Sequence, residues 1–416
     1  MSKKADLLNR FFAIIVIMSL FLVFTQKTID HHRGIISSVD EGIRSRYRSG
    51  EAFPRSLYDF YMGFHNAVKG SIEWYYSFPP LIEYFDMAYY TYLRATGRNH
   101  YNGVTFLTDG RLMMDTLEHN TFIHERADAI VGLRDYLYDD GIPFLYVRVP
   151  SKLKDNSRLP GAYSENSIIA NGDALHYVLM DYNVDTLDLR EEMGKDEIDF
   201  ATAFFRMDLH WTAETALWAS GKIGAYINRE YGFEVDESVW EPGRYERVTY
   251  KQAFNGNEIN AVGGYHVFED ITALCPSFQT ELEMLDRQFD ILSSGSFIDV
   301  YVPKLKNAHN VLFSSGDTEI PERDLTRLVN MDTSNSINVL VISDSFGLSL
   351  ATFFSLGFES VDVLYLITGH THTIKWDVID EEDYDLVIFV LSDAVISLEN
   401  RPVFEDDRLF LGHPPD

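Results

Sequence analysis

Cysteine is nearly missing from this sequence: among 416 residues only Cys275 occurs. That excludes an intramolecular disulfide and any metal site built from clustered thiolates. A small buried apolar role suits Cys275 better than that of a nucleophile. Cations are also scarce, with 35 Lys and Arg against 64 Asp and Glu and a formal charge of −29. Binding to phosphates draws mainly on Lys and Arg, so the balance argues strongly against a general nucleic-acid or anionic-membrane surface. Acidity bears on solubility and environment and says nothing about fold. Neither an internal repeat nor a low-complexity tract occurs. What is present is apolar and aromatic. A hydrophobic fraction of 46% with 14% aromatics argues against disorder, and the length allows two or three domains.

The N-terminus carries Lys3, Lys4 and Arg10 ahead of the apolar run from Phe11 to Phe24. The run is shorter than the roughly 20 residues that span a bilayer, although Leu7, Leu8 and Thr25 lengthen it. Basic residues before it predict a cytoplasmic N-terminus and a body outside. No small-x-small cleavage site follows, so an uncleaved anchor over residues 1–26 is expected ahead of a cleaved signal peptide. Residues 27–100 then form a membrane-proximal segment. It begins polar, with His31 and His32 solvated and without a third metal ligand nearby. From residue 57 onward it is rich in tyrosine, including Tyr75, Tyr76, Tyr89 and Tyr90, with Trp74. Packing is the default for such rings, and sugar stacking or an interfacial position is the alternative.

An α/β domain is expected over residues 101–400. Gly103–Leu107 and the turn after it suggest a hairpin. Ile123, Ala127, Ile130 and Leu133 recur at helical spacing, and Phe144–Val149 is a strand ending at Pro150, Ser151 and Lys152. A short strand lies at Val184–Leu189. Thr212 is placed to cap a helix running to about Arg229. Residues 231–336 lack clean alternation and are expected to be an irregular insertion of short strands and loops. Strands at 337–342, 361–367 and 385–391, with a helix from Phe346 to Leu356, then complete a parallel series. Residues 401–416 form a tail.

Two stretches offer chemistry: Asp208-Leu209-His210-Trp211-Thr212 and Ser343-Asp344-Ser345-Phe346-Gly347. A serine hydroxyl needs a base within hydrogen-bond reach, usually a histidine oriented by a carboxylate. Ser345 falls past the end of an apolar strand and before a helix, where open α/β sheets place their sites. His210 is the candidate base. In an extended segment Asp208 and His210 face one side, and whether Asp208 bonds the ring depends on how the segment bends. Alone, each stretch is weak, because Ser343 or Asp344 could simply cap a helix. The pair, with its strand placement and chain order, is what points to a site. Gly369-His370-Thr371-His372 follows the strand at 361–367 on the same sheet edge. His370 or His372 is a candidate to line the pocket, with a metal site the less favoured reading and no metal expected.

The order Val149-Pro150-Ser151-Lys152, then Asp208-x-His210-Trp211, then Ser343-Asp344-Ser345 resembles the alginate O-acetyltransferases AlgJ and AlgX and the bacterial DHHW proteins. These belong to the SGNH hydrolase-like superfamily. The resemblance implies a three-layer α/β/α fold with a central parallel sheet, the insertion noted above and an N-terminal transmembrane helix. It implies Ser345 as nucleophile, His210 as base, Asp208 as its partner and Trp211 as packing behind the site. Lys152 matches a recurrent family position and either contacts an anionic substrate or anchors a loop. The family's glycine two residues before the nucleophile is Ser343 here. The backbone N–H of Ser345, with Asn257 from the stretch Asn255–Glu258, are the oxyanion candidates.

The function implied is O-acetyl transfer to a cell-surface or secreted polysaccharide outside the membrane, without a cofactor. The acetyl donor would be delivered by a membrane-bound O-acyltransferase. An esterase or deacetylase using the same site is a second reading, and a non-catalytic polysaccharide-binding assembly protein a third.

Overall fold

The protein's structure is a computed structural model. It describes residues 90–93, 95, 99–114, 122–160, 167–264, 267–302, 313–314, 325–366 and 383–397. The chain divides into two compact units, Met1–Asn102 with Ile259–Val267, and Gly103–Glu258 with Phe268–Asp416. The expected anchor at 1–26, the segment 27–89 and the tail at 401–416 lie outside the described residues. No helix among the described residues is long and apolar enough to cross a membrane.

The larger unit opens with strands β1 (Val104–Phe106) and β2 (Leu112–Met114), then helix α1 (Ile123–Asp139) and strand β3 (Phe144–Val149). Helix α2 (Ile168–Asp181), strand β4 (Thr186–Asp188) and helix α3 (Leu189–Lys195) follow. The short α4 (Phe200–Ala203) and the long α5 (Ala213–Tyr231) flank the Asp208 stretch. A long antiparallel pair, β5 (Tyr245–Asn255) and β6 (Glu269–Pro276), precedes β7 (Leu282–Asp286), β8 (Ile291–Gly295) and α6 (Phe297–Tyr301). Strands β9 (Thr326–Asn330) and β10 (Asn338–Ser343), helix α7 (Ser345–Phe354), strands β11 (Ser360–Tyr365) and β12 (Leu386–Ser392) and helix α8 (Asp393–Ile396) complete it.

The central sheet has eight strands in the order β4-β3-β12-β10-β11-β9-β7-β8. The first five are parallel, and the last three join antiparallel. The expectation of a purely parallel sheet is therefore corrected to a mixed one. Part of the expected insertion belongs to this sheet, because β7, β8 and β9 extend it past β11. Their sequences hid this for a physical reason. A strand covered on both faces reads as a mainly apolar run, as β3, β11 and β12 do, each buried throughout. An antiparallel strand near an edge has a wet face; β7 alternates buried and half-buried, and β8 is largely exposed.

Alternation along the central strands splits the core in two. Val147, Val341, Val363 and Ile388 face α5 and α7, whose Ala216, Ile223, Leu348 and Ala351 complete that layer. Tyr146, Leu340, Leu364 and Phe389 face α1 and α2, meeting Ile130, Leu133, Leu175 and Leu179. Successive side chains on a strand point to opposite faces, so three layers follow directly from the sequence of β10 alone. The only cysteine, Cys275, is buried in β6, and burial raises its thiol pKa.

At the C-terminal edge of β3 the core admits a charge. Arg148 is 1% exposed. Its guanidinium donates to both oxygens of Asp393 at 2.8 and 3.2 Å, and to Asp173 and Asp188 at 2.7 and 2.9 Å. This network fastens the ends of β3, β4 and β12 to α2. It exists because position 172 is glycine: a Cβ there would lie 1.9 Å from Asp393 Oδ1 and 2.6 Å from Arg148 Nη2. A glycine-to-alanine change inside a helix ordinarily stabilises by about 0.5–1 kcal/mol. Gly132→Ala in α1, whose Cβ meets no described atom within 4 Å, is expected to do so. Gly172→Ala should have the opposite sign, destabilising by about 1–3 kcal/mol through overpacking. Denaturant unfolding of the two variants checks the reversal.

Candidate active site

The residues between α4 and α5 close on themselves. Phe204 and Trp211 form an antiparallel bridge, the Phe205 N–H donates to His210 O at 3.0 Å, and the Thr212 N–H donates to Ala203 O at 2.9 Å. Thr212 then caps α5, its hydroxyl accepting from the Thr215 N–H. The segment is thus a pinched loop rather than the extended stretch expected. The bend decides the geometry. Asp208 folds its carboxylate back so that Oδ1 accepts from both the main-chain N–H and the ring Nδ1–H of His210, at 3.0 and 2.6 Å.

The other end of the imidazole reaches Ser345. His210 Nε2 and Ser345 Oγ are 2.7 Å apart. A carboxylate only accepts, so Nδ1 carries the proton and Nε2 of the neutral ring accepts from the hydroxyl. Asp208 is fully buried, the His210 side chain is 17% exposed and Ser345 is half-buried, so solvent-side access exists at the hydroxyl and not at the acid. Burial would raise the Asp208 carboxyl. The facing His210, its ring bond and the N–H groups of Asn257 and His210 outweigh that and hold it at about 2. Burial would lower His210, and the charge and hydrogen bond of Asp208 reverse this, leaving the imidazole above its usual value of 6.5.

Ser345 sits where the sheet order turns. From β10 the chain passes to β11 on one side and reaches β12 on the other, so the crevice at the C-terminal end of β10 is a topological switch point. Asp344 caps α7, with Oδ1 accepting from the Phe346 N–H at 2.9 Å and Oδ2 from the Ser392 N–H at 2.8 Å. It is fully buried, and burial pushes its carboxyl up. Ser343 is buried, and its hydroxyl has no hydrogen-bond partner among the described residues. The space it needs comes from Gly347, where a Cβ would lie 2.0 Å from Ser343 Oγ.

Trp211 joins the two halves of the site. Its ring packs edge-on against Phe346 at 5.4 Å, and its Nε1–H donates to Ser349 Oγ at 2.6 Å. Phe346 also stacks obliquely on His210, with centroids 4.9 Å apart. Trp211 is therefore packing between the loop that carries His210 and helix α7.

Two sequence expectations change. For Asn257 the main-chain N–H is taken, donating to Asp208 Oδ2 at 2.8 Å, and the carboxamide of this exposed residue is what is left as an oxyanion candidate. Lys152 is 2% exposed and its ammonium is bound to Leu112 O, Asp208 O and Glu258 Oε2, which leaves loop anchoring and removes substrate contact. The Ser345 N–H forms no hydrogen bond with a described residue and remains the main-chain oxyanion candidate. His370 and His372 lie outside the described residues.

Further residues that shape the site come from the β5/β6 pair and the turn between its strands. Gly256 lets the turn after β5 press against the base loop, since a Cβ would meet Met207 O at 2.3 Å and Asp208 Cβ at 2.6 Å. Glu269, the first residue of β6, accepts from the N–H groups of Arg206 and Met207 at 3.0 Å each. Nothing local in an apparently irregular segment marks these contacts, because their partners are far away in sequence.

Residues 106–251 match the SGNH hydrolase-like domain of the acetyltransferase AlgX. The match takes in Lys152, Asp208 and His210 and stops before Ser345, which the geometry adds. No curated protein matches the chain. Among solved structures, Bacillus cereus PatB1 carrying a sulfonyl adduct is similar at 17% identity and a TM-score of 0.57, over 73% of this chain and 96% of that one. A DHHW family protein from Eubacterium siraeum is similar at 15% identity and a TM-score of 0.53, over 74% and 96%. At these identities the shared property is the fold. The resemblance seen in the sequence is thus to an SGNH hydrolase-like α/β fold of the acetyltransferase type.

The turn at Gly256 offers a direct check. Gly256→Ala forces the turn off the base loop and removes the Asn257 N–H from Asp208. The rate at which a sulfonyl fluoride modifies Ser345, followed by intact mass, is expected to fall about 100-fold, the scale of an ångström-sized misplacement in a reactive constellation.

Proposed function

We propose that this protein is an O-acetyltransferase acting on a cell-surface or secreted polysaccharide through an acyl-serine intermediate. The observation that carries the reading is the unbroken hydrogen-bonded chain Asp208, His210, Ser345 at the switch point of the sheet. The likeness of residues 106–251 to the AlgX acetyltransferase domain supports the group transferred. The anchor expected at residues 1–26 belongs to the same proposal. It would hold the domain on the outer side of a membrane, where a membrane-bound O-acyltransferase could deliver the acetyl donor.

The chemistry runs as two displacements at one carbonyl carbon. Ser345 Oγ attacks the acetyl group while His210 Nε2 takes its proton, and the imidazolium so formed faces a carboxylate that stays ionised. The Ser345 N–H at the start of α7 faces the developing oxyanion. Collapse expels the donor's leaving group, which receives the proton from His210, and leaves acetyl-Ser345. A sugar hydroxyl then gives its proton to Nε2 and attacks the acyl carbon, and the return of the proton to Oγ restores the serine.

Incubation of the protein with an activated acetyl ester should add roughly 42 Da, one acetyl group, to the native chain and nothing to Ser345→Ala. Absence of the adduct, or its persistence in the variant, removes the nucleophile. With an oligosaccharide acceptor present, transfer faster than hydrolysis supports the transferase, and hydrolysis alone assigns an esterase.

The pH dependence has a determined sign. His210 accepts a proton only when neutral, so acylation rises with pH through its pKa, and the acid limb should lie above 6.5. Asp208→Asn removes the charge that raises the imidazole. That limb should move to lower pH, with a rate loss of about 10⁴-fold, as when the carboxylate of a serine triad becomes an amide.

A further inference from the structure

A lysine ammonium has three N–H donors and no acceptor. In Lys152 the three go to three different segments: Leu112 O in β2 at 2.6 Å, Asp208 O in the base loop, and Glu258 Oε2 at 2.7 Å. The other oxygen of Glu258 accepts the Met114 N–H at 2.8 Å, so the acid returns to β2 as well. The two side chains are 2% and 1% exposed. An ion pair this dry is weak evidence for stability, because an apolar pair of the same volume often serves as well. Its placement suggests another role. Asp208 is held from one side by the Asn257 N–H on its carboxylate and from the other by Lys152 on its carbonyl, and Glu258 joins those two holds through the adjacent turn.

We propose that Lys152 and Glu258 are positioning residues of the acyl-transfer site, fixing the main chain of Asp208 and through it the placement of His210 against Ser345. The inference rests on the reading of Ser345 as the acylated nucleophile. The charged groups around the imidazole come from three elements: Asp208 on its own loop, Asp344 on the cap of α7, and Glu258 on the turn, with Lys152 behind Asp208. Loss of the Glu258 charge therefore has an electrostatic signature in addition to a geometric one.

Acetylation of Ser345 by 4-nitrophenyl acetate, measured with the full chain as a burst over a range of pH, tests this. Lys152→Met and Glu258→Gln should each slow acylation about 10- to 100-fold at unchanged KM, the usual scale for groups that orient a reacting side chain. Glu258→Gln removes a negative charge near the imidazolium, so its acid limb should move to lower pH. Glu258→Asp keeps the charge and shortens the reach; it should slow acylation and leave the limb in place. A folded Glu258→Gln, by circular dichroism and melting, that acylates at the native rate with an unmoved limb overturns the inference. If Lys152→Met does not fold, the two Glu258 variants decide the outcome on the same criteria. The underlying reading fails separately, by a native chain that takes no acetyl group or a Ser345→Ala variant that still does.

Discussion

The carboxylate of Asp208 is the constraint on which the rest of this site depends. It is wholly buried, and a buried charge is tolerable only when its lone pairs are occupied. Three N–H groups occupy them: the main chain and ring of His210 and the main chain of Asn257. Each donor fixes a different degree of freedom. The ring bond sets the tautomer and orientation of the imidazole, and the main-chain bond sets the bend of the loop. The Asn257 bond brings in the β5/β6 pair, which must approach so closely that only glycine fits at position 256. The same bonds that make the charge tolerable therefore aim Nε2 at Ser345.

Three of the places at which the domain admits charge into its interior share a positional logic. Arg148 with Asp393 and Asp188 ties the ends of β3, β12 and β4 together. Lys152 with Glu258 ties the entry hairpin to the base loop. Asp344 ties the start of α7 to the end of β12. Parallel strands end in unsatisfied main-chain groups and need long crossovers, so their C-terminal ends are where fixing register is hardest and where ligands bind. Buried charges with directional bonds fix what apolar packing alone leaves free. Ser392 and Asp393 show the economy of the arrangement: one N–H steadies the start of α7 while the next side chain grips Arg148.

Much of this was legible in the sequence. Mainly apolar runs marked the parallel strands because both of their faces are dry, and the same runs placed Ser345 at a strand end. Asp208, His210 and Ser345 were nominated by residue type and by chain order. What was hidden shares one physical cause. Strands β7 to β9 have a wet face, so their alternation is short and mixed with polar residues, and it reads as an irregular insertion rather than as part of the central sheet. Glu258, Glu269 and Gly256 act through main-chain partners remote in sequence, and residue type alone does not announce an acceptor for a distant N–H. Lys152 was visible, yet its role was decided only by counting donors: three hydrogens, three protein acceptors, none left for a substrate.

The serine at position 343 is instructive in the same way. Before Ser345, the chain must pass from the end of β10 into α7 within two residues, and the side chain at position 343 is buried against Gly347 of α7. The serine fits because the helix lacks a side chain at Gly347, the position that faces it. Among the described residues its hydroxyl has no partner, a cost of about 1–3 kcal/mol for a buried polar group. That cost falls on the turn, not on the reacting atoms, since the Asp344 cap and the contact between Ser345 and His210 are both intact. A serine at position 343 therefore leaves the contact between Ser345 and His210 in place. The relevant quantity is whether the displaced volume finds room without moving the strand end, and here the room lies one helical turn away.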